Sequence, residues 1–189
     1  MSTLVMVEKD GIGCIAADTL TTFGVRKQPA RYVVSAEKIL RVGDSYIGVV
    51  GWSAHLDVLQ SVFSNGFSLP EIRAKRDLFE FSRKLHSKLK DDYFLNTDDD
   101  SDDAYESSQM ALFFLNSYGL FGLYSDRSVE QYRRFASIGS VSRYALGAMH
   151  AMYDGDTDAK SIARAGVLAG VEFDYATFGP VTVKQVKLK

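Results

Sequence analysis

Ser2, Asp18, Lys38 and Gly51 are the residues of this chain whose types and spacing could do chemistry together. A methionine before a residue as small as serine is the kind of initiator that is normally removed, which would leave Ser2 with a free α-amine. Such an amine titrates near about 7.7–8.0, so at neutral pH a usable fraction can take the hydroxyl proton of its own residue. One residue then supplies both nucleophile and base. Lys38 nearby would favour the neutral amine and the developing alkoxide, and Asp18 would offset the cost of burying that lysine. The Gly51 N–H, at a step from strand to helix, could stabilise an oxyanion. Taken singly, Lys38 also reads as a surface charge and Gly51 as a simple turn.

Other chemistries fit less well. His55, His86 and His150 form no cluster at metal-ligand spacing, so a zinc site is not expected. Gly51-Trp52-Ser53-Ala54-His55 lacks the second glycine of a nucleophile elbow, which makes Ser53 a poor triad serine. Cys14 falls in an apolar strand and reads as core filler; as the one cysteine it cannot form an internal disulfide, which suits a reducing, cytoplasmic location. The acidic run at 98–103, with Glu106, lacks the glycine and closing glutamate of an EF-hand loop and reads as a solvated loop.

The elements that must position these residues follow from patterning. Asp10-Gly11 between two apolar runs predicts a type I′ hairpin with Lys9 opposite Ile12, and that register sets Thr3 opposite Asp18. Residues 21–36 read as loop or irregular strand. A second hairpin turns at Gly43-Asp44, and a helix runs from about 51 to 65. Pro70 suits the first turn of another helix, continuing to about 92. A third hairpin covers 109–124, and one further strand is expected within 129–136. Helices follow at 142–153 and 158–171, and the last segment, 173–186, reads as strand. Segregated runs of strands and helices with antiparallel hairpins predict an α+β fold, two sheets face to face with helices outside.

The chain fits a single domain over 1–189. Its hydrophobic fraction of 46% and charged fraction of 24% are those of an ordinary globular domain. A formal net charge of −2 without a basic stripe argues against nucleic acid. No apolar run approaches the roughly 18 residues of a membrane span, and the start has no signal-peptide pattern.

Six blocks, in order, resemble those of a proteasome β-type subunit: Ser2-Thr3-Leu4-Val5; Ile15-Ala16-Ala17-Asp18 followed by Thr22; Lys38-Ile39; Val50-Gly51-Trp52-Ser53-Ala54; Ile138-Gly139-Ser140; and Asp174-Tyr175-Ala176-Thr177-Phe178-Gly179. The chain is most similar to the HslV-like, self-compartmentalising bacterial forms, and its departures resemble the separate group of bacterial proteasome homologues. The resemblance implies an N-terminal nucleophile (Ntn) hydrolase with a four-layer αββα sandwich. It implies a threonine-peptidase-like endopeptidase with Ser2 as nucleophile, Asp18 and Lys38 as charge pair, Gly51 as oxyanion donor, and Ser140, Asp174 and Thr177 as supports around the terminal amine. It assigns Thr21, Ala36, Leu40, Val49 and Ser53 to the S1 pocket, with cleavage after apolar residues. No cofactor is implied; relatives can bind a monovalent cation at positions matching Val171, Asp174 and Thr177, which would be a structural Na+. Implied partners are further copies of the chain in stacked homo-oligomeric rings, polypeptide substrates and, for some relatives, a AAA+ unfoldase.

The chain departs from that pattern in carrying serine where threonine is usual and no propeptide beyond Met1. Its 24–38 segment is longer than in HslV, and the acidic loop at 98–106 is extra. Two other readings of the fold stay open, a catalytically silent ring-forming scaffold and a small-molecule amidase.

Overall fold

The computed structural model describes residues 2–97 and 104–189. The acidic run at 98–103 lies outside the described residues. β1 (Thr3–Lys9) and β2 (Ile12–Ala17) form the expected hairpin, Lys9 opposite Ile12 and Leu4 opposite Ala17. Asp10 and Gly11 have φ of 54° and 73°, the left-handed values a type I′ turn requires. The next stretch holds a short hairpin, β3 (Thr21–Phe23) and β4 (Arg26–Gln28), and a 3-10 turn at Ala30–Tyr32. β5 (Ile39–Val42) and β6 (Ser45–Gly51) turn at Gly43-Asp44, and α1 (Ala54–Ser64) follows.

The next helix differs from its expected bounds. α2 spans Lys75–Tyr93, five residues beyond Pro70. Proline permits a helix start but does not dictate one. Here the Asp77 carboxylate reaches back to the N–H groups of Arg73 and Ala74, at 2.9 and 3.0 Å, and fixes the start there. Upstream, Ile72 is fully buried and its carbonyl accepts from Asn116 Nδ2 at 2.8 Å, which keeps the entry segment out of the helix.

β7 (Met110–Asn116) and β8 (Gly119–Leu123) form the third hairpin. The single strand expected over 129–136 is two strands in different sheets. β9 (Val129–Tyr132) pairs with β8, whereas β10 (Phe135–Gly139) pairs with β1. Exposed Arg133 and Arg134 carry the chain from one sheet to the other, and alternation alone does not tell which edge a strand will join. α3 (Ser142–Tyr153) matches its expected span, and α4 (Ala159–Phe173) starts at an Asp158 cap that accepts from Ser161 N at 2.8 Å. In the last segment only β11 (Thr182–Lys187) is strand; 174–181 is a turn-rich connection.

The sheets are antiparallel, in the orders β10-β1-β2-β11 and β5-β6-β7-β8-β9, with β3-β4 as a separate ribbon. Strand periodicity divides the core into three layers. Leu4, Met6 and Ile15 meet Phe113 and Leu115 between the sheets. Val5, Val7 and Cys14 face Met149, Ile162 and Val167 of α3 and α4. Ile47, Phe114 and Phe121 face Leu59, Phe81 and Leu85 of α1 and α2. The result is a four-layer α+β sandwich, two antiparallel sheets face to face with helices outside. Among the described residues, no helix is long and apolar enough to cross a membrane.

Candidate active site

The hairpin register sets a buried carboxylate beside the start of β1. Thr3 N–H donates to Asp18 Oδ1 at 2.9 Å, Asp18 N–H donates to the Thr3 carbonyl at 3.2 Å, and Leu20 N–H donates to Asp18 Oδ2 at 3.1 Å. Asp18 is fully buried. A buried carboxylate with two backbone donors still calls for a cation. Lys38, just before β5, supplies it: Nζ lies 2.8 Å from Asp18 Oδ1, with the lysine side chain 12% exposed. Burial pushes the Lys38 pKa below the ordinary lysine value, and Asp18 pulls it partly back.

Close packing fixes the backbone around Ser2, which is itself 8% exposed. Gly139, opposite Thr3 on β10, has φ of 107°, and a Cβ there would collide with the Ser2 carbonyl oxygen. Only glycine lets the two strands approach at that point. From α4, Gly170 lies under Thr3, where a Cβ would come 2.9 Å from Thr3 Oγ1 and from Val141 Cγ2. Thr3 Oγ1 is 3.0 Å from Thr177 Oγ1, which ties the start of β1 to the connection after α4.

In front of this anchor lies a cleft of about 600 Å³. Ser2, Lys38 and Gly51 line it, and so do Thr21, Ala36, Val49 and Ser53. Leu20, Val33, Val34 and Leu56 add apolar wall. Leu40, assigned to the pocket by resemblance, is not among the lining residues and packs on the core layer beneath α1 and α2. Lys38, just before β5, reaches the cleft; Leu40, two residues on, lies within the strand. Gly51 has φ of 154°, and a Cβ there would lie 2.6 Å from His55 Nδ1 and 3.0 Å from the Gln109 carbonyl.

The remaining assigned residues sit around the anchor rather than in the cleft. Ser140 is exposed, immediately after Gly139. Asp174 caps α4; its Oδ1 accepts from Ala176 N at 2.7 Å and its carbonyl accepts from Thr177 N at 3.4 Å. Two of the Asp174 oxygens, Oδ1 and the carbonyl, are thus engaged inside their own turn. Among the described residues, no group of three or more His, Cys, Asp or Glu side chains could hold a metal ion.

Three positions with clear roles in this packing were not singled out from the sequence as site residues. Gly139 and Gly170 matter through what a side chain would strike, and His55 through a ring nitrogen aimed at the backbone. Gly139 left a trace inside the Ile138-Gly139-Ser140 block, and His55 inside the Gly51–His55 run.

No protein-family model and no curated protein matches the chain. Solved structures do. The chain is 38% identical to Thiobacillus denitrificans BPH, a bacterial proteasome homologue, with a TM-score of 0.93 over 99% of this chain and 98% of that one. The same protein in complex with epoxomicin matches at 38% identity and a TM-score of 0.93, covering 99% of both chains. Eukaryotic HslV from Trypanosoma brucei, at 20% identity, shares the fold with a TM-score of 0.74 over 98% of this chain and 99% of that chain.

Proposed function

This chain belongs to the bacterial proteasome homologue family, on the proteasome β-type, HslV-like fold, and from that premise we propose that it is a peptidase whose nucleophile is Ser2 after removal of Met1. The observation that carries the reading is the buried Lys38–Asp18 pair, hydrogen-bonded to the Thr3 backbone and opening with Ser2 onto one cleft.

In the first half-reaction the Ser2 α-amine takes the Oγ proton while Oγ attacks the scissile carbonyl, forming the C–O bond. The Lys38 cation disfavours protonation of the resting amine and stabilises the alkoxide as it develops. The Gly51 N–H receives the oxyanion. Collapse breaks the C–N bond, and the proton held by the α-amine passes to the leaving amine. Water, deprotonated by the same amine, then cleaves the acyl ester and restores Ser2. Ser140, Asp174 and Thr177 keep the terminal residue in place, and the mostly small and apolar lining favours cleavage after apolar residues. Thr21, Ala36, Val49 and Ser53 form that wall. The chains assemble as stacked homo-oligomeric rings that take in polypeptide, as the family membership suggests. A AAA+ unfoldase is a further partner of this reading. Epoxomicin, which the Thiobacillus denitrificans homologue is seen in complex with, is a compound to try here.

Intact mass spectrometry tests the proposal. The expected result is loss of Met1 and one covalent adduct per chain with a peptide β-lactone, absent in Ser2→Ala and kept in Ser2→Thr. Quantitative retention of Met1 in cells, or labelling that survives Ser2→Ala, refutes it. Digestion of a loosely folded protein but not of compact ones separates a chambered peptidase from a small-molecule amidase. A monomer in light scattering would refute the rings.

A further inference from the structure

Gly51 can present its N–H to a reacting carbonyl only if the peptide on its far side is held. That peptide is not part of a ladder: β6 ends at Gly51 and α1 begins at Ala54. Ser53, the residue before α1, makes no side-chain cap, which leaves the first N–H groups of the helix to be satisfied otherwise. His55 holds the turn by two bonds. Its backbone N–H donates to the Trp52 carbonyl at 3.0 Å, and its ring Nδ1 accepts from the Trp52 N–H at 3.2 Å. The ring lies against Gly51 so closely that a Cβ there would be 3.3 Å from Cε1 and closer still to Nδ1. His55 is only 8% exposed, although its neighbour Trp52 is 72% exposed.

We propose that His55 is the positioning residue of the oxyanion turn: the Nδ1 lone pair fixes the Gly51–Trp52 peptide and thereby the direction of the Gly51 N–H. The inference deepens the peptidase reading and rests on it. It requires the neutral tautomer with its proton on Nε2, because a protonated Nδ1 has no lone pair to offer Trp52. Burial favours that neutral form, pushing the His55 pKa below its ordinary value. Lys38 across the cleft and Asp57 on the same helix are the charged residues that share the cleft wall, and neither contributes to the shift. As pH falls through the depressed His55 pKa, the turn loses its acceptor. This loss adds to the protonation of the Ser2 amine, so the acid limb of acylation steepens from one proton to two.

Three forms of the full chain test this: wild type, His55→Asn, whose Oδ1 replaces Nδ1 as a non-titrating acceptor, and His55→Leu. Acylation of Ser2 by a peptide β-lactone is followed by intact mass from pH 5 to 9. The emission of Trp52, the one tryptophan of the chain, is recorded over the same range. His55→Leu is expected to acylate about 10²-fold more slowly at saturating probe, with the half-saturating concentration within about 3-fold, as a misdirected donor would dictate. His55→Asn stays within about 3-fold of wild type and loses the second proton from its acid limb. Wild-type emission steps below pH 6.5, and His55→Asn emission does not. Acylation of His55→Leu at the wild-type rate, a one-proton acid limb in wild type, or His55→Asn as slow as His55→Leu overturns the proposal. Should no form acylate, wild type included, the Ser2 reading itself fails. The emission step then decides His55 alone: its absence overturns the proposal, and its presence retains His55 as the residue that holds the turn.

Discussion

Replacing Lys38 by methionine removes the cation and keeps most of the buried stem. At 2.8 Å in a nearly solvent-free site, the attraction within the pair is about 6 kcal/mol at an effective dielectric of about 20. Asp18 would keep its two backbone donors, Thr3 N–H and Leu20 N–H, which offset part of that loss. A net destabilisation of about 3 kcal/mol follows, within the range for breaking a buried pair, and corresponds to a Tm lower by about 6–12 °C for a chain of this size. Peptidase activity should fall by at least about 10²-fold, because the α-amine then protonates more readily and the alkoxide has no counter-charge. The decisive comparison is with Lys38→Met/Asp18→Asn. An asparagine needs no cation, so the double variant should recover about half of the lost stability by scanning calorimetry. It should recover none of the activity. If the double variant is as unstable as the sum of the singles, the pair is not coupled as described. If Lys38→Met keeps wild-type activity, the lysine has no part in the chemistry.

Three further outcomes follow from particular residues. Gly139→Ala combines a φ of 107° with a collision against the Ser2 carbonyl, so it should lose at least about 1–3 kcal/mol by denaturant titration and acylate slowly even where folded. Activity should be bell-shaped in pH: it falls below about 7–8 as the α-amine protonates, and falls again, earlier than an ordinary lysine near about 10.4 would require, as the depressed Lys38 loses its proton. Initial rates across pH 5 to 11 check both limbs. Cys14 is fully buried and pushed up to about 11 by that burial, so iodoacetamide at pH 8 should modify it only after unfolding, as measured by mass.

The most legible part of the site was its oldest physical constraint, the two-residue turn. Asp10-Gly11 fixes a register, and that register alone sets Asp18 at the start of β1. The layering was legible for the same reason, since Leu4 and Met6 against Val5 and Val7 is a period of two with both faces apolar. What the sequence hid depends on distant neighbours. Pro70 marked a helix start that the Asp77 carboxylate and buried Ile72 placed elsewhere. Residues 129–136 alternate as one strand, yet the partner of each half is decided by which sheet edge is free. Leu40 was matched to the pocket by motif, but its side of β5 packs toward α1 and α2. His55 was weighed only as a zinc ligand and as the end of an elbow-like run, because nothing local reveals which backbone N–H a ring nitrogen will meet.

The strand that follows Ser2 is completed from far along the chain. β1 is flanked on one side by β2 and on the other by β10, whose Gly139 pairs with Thr3, and it is tied to Thr177 beyond α4. Such long closures form late in folding. A polypeptide still leaving the ribosome would therefore carry its serine without the strand, glycine and threonine that seat it. On the proposed reading, synthesis order itself leaves Ser2 unseated until nearly the whole chain is made.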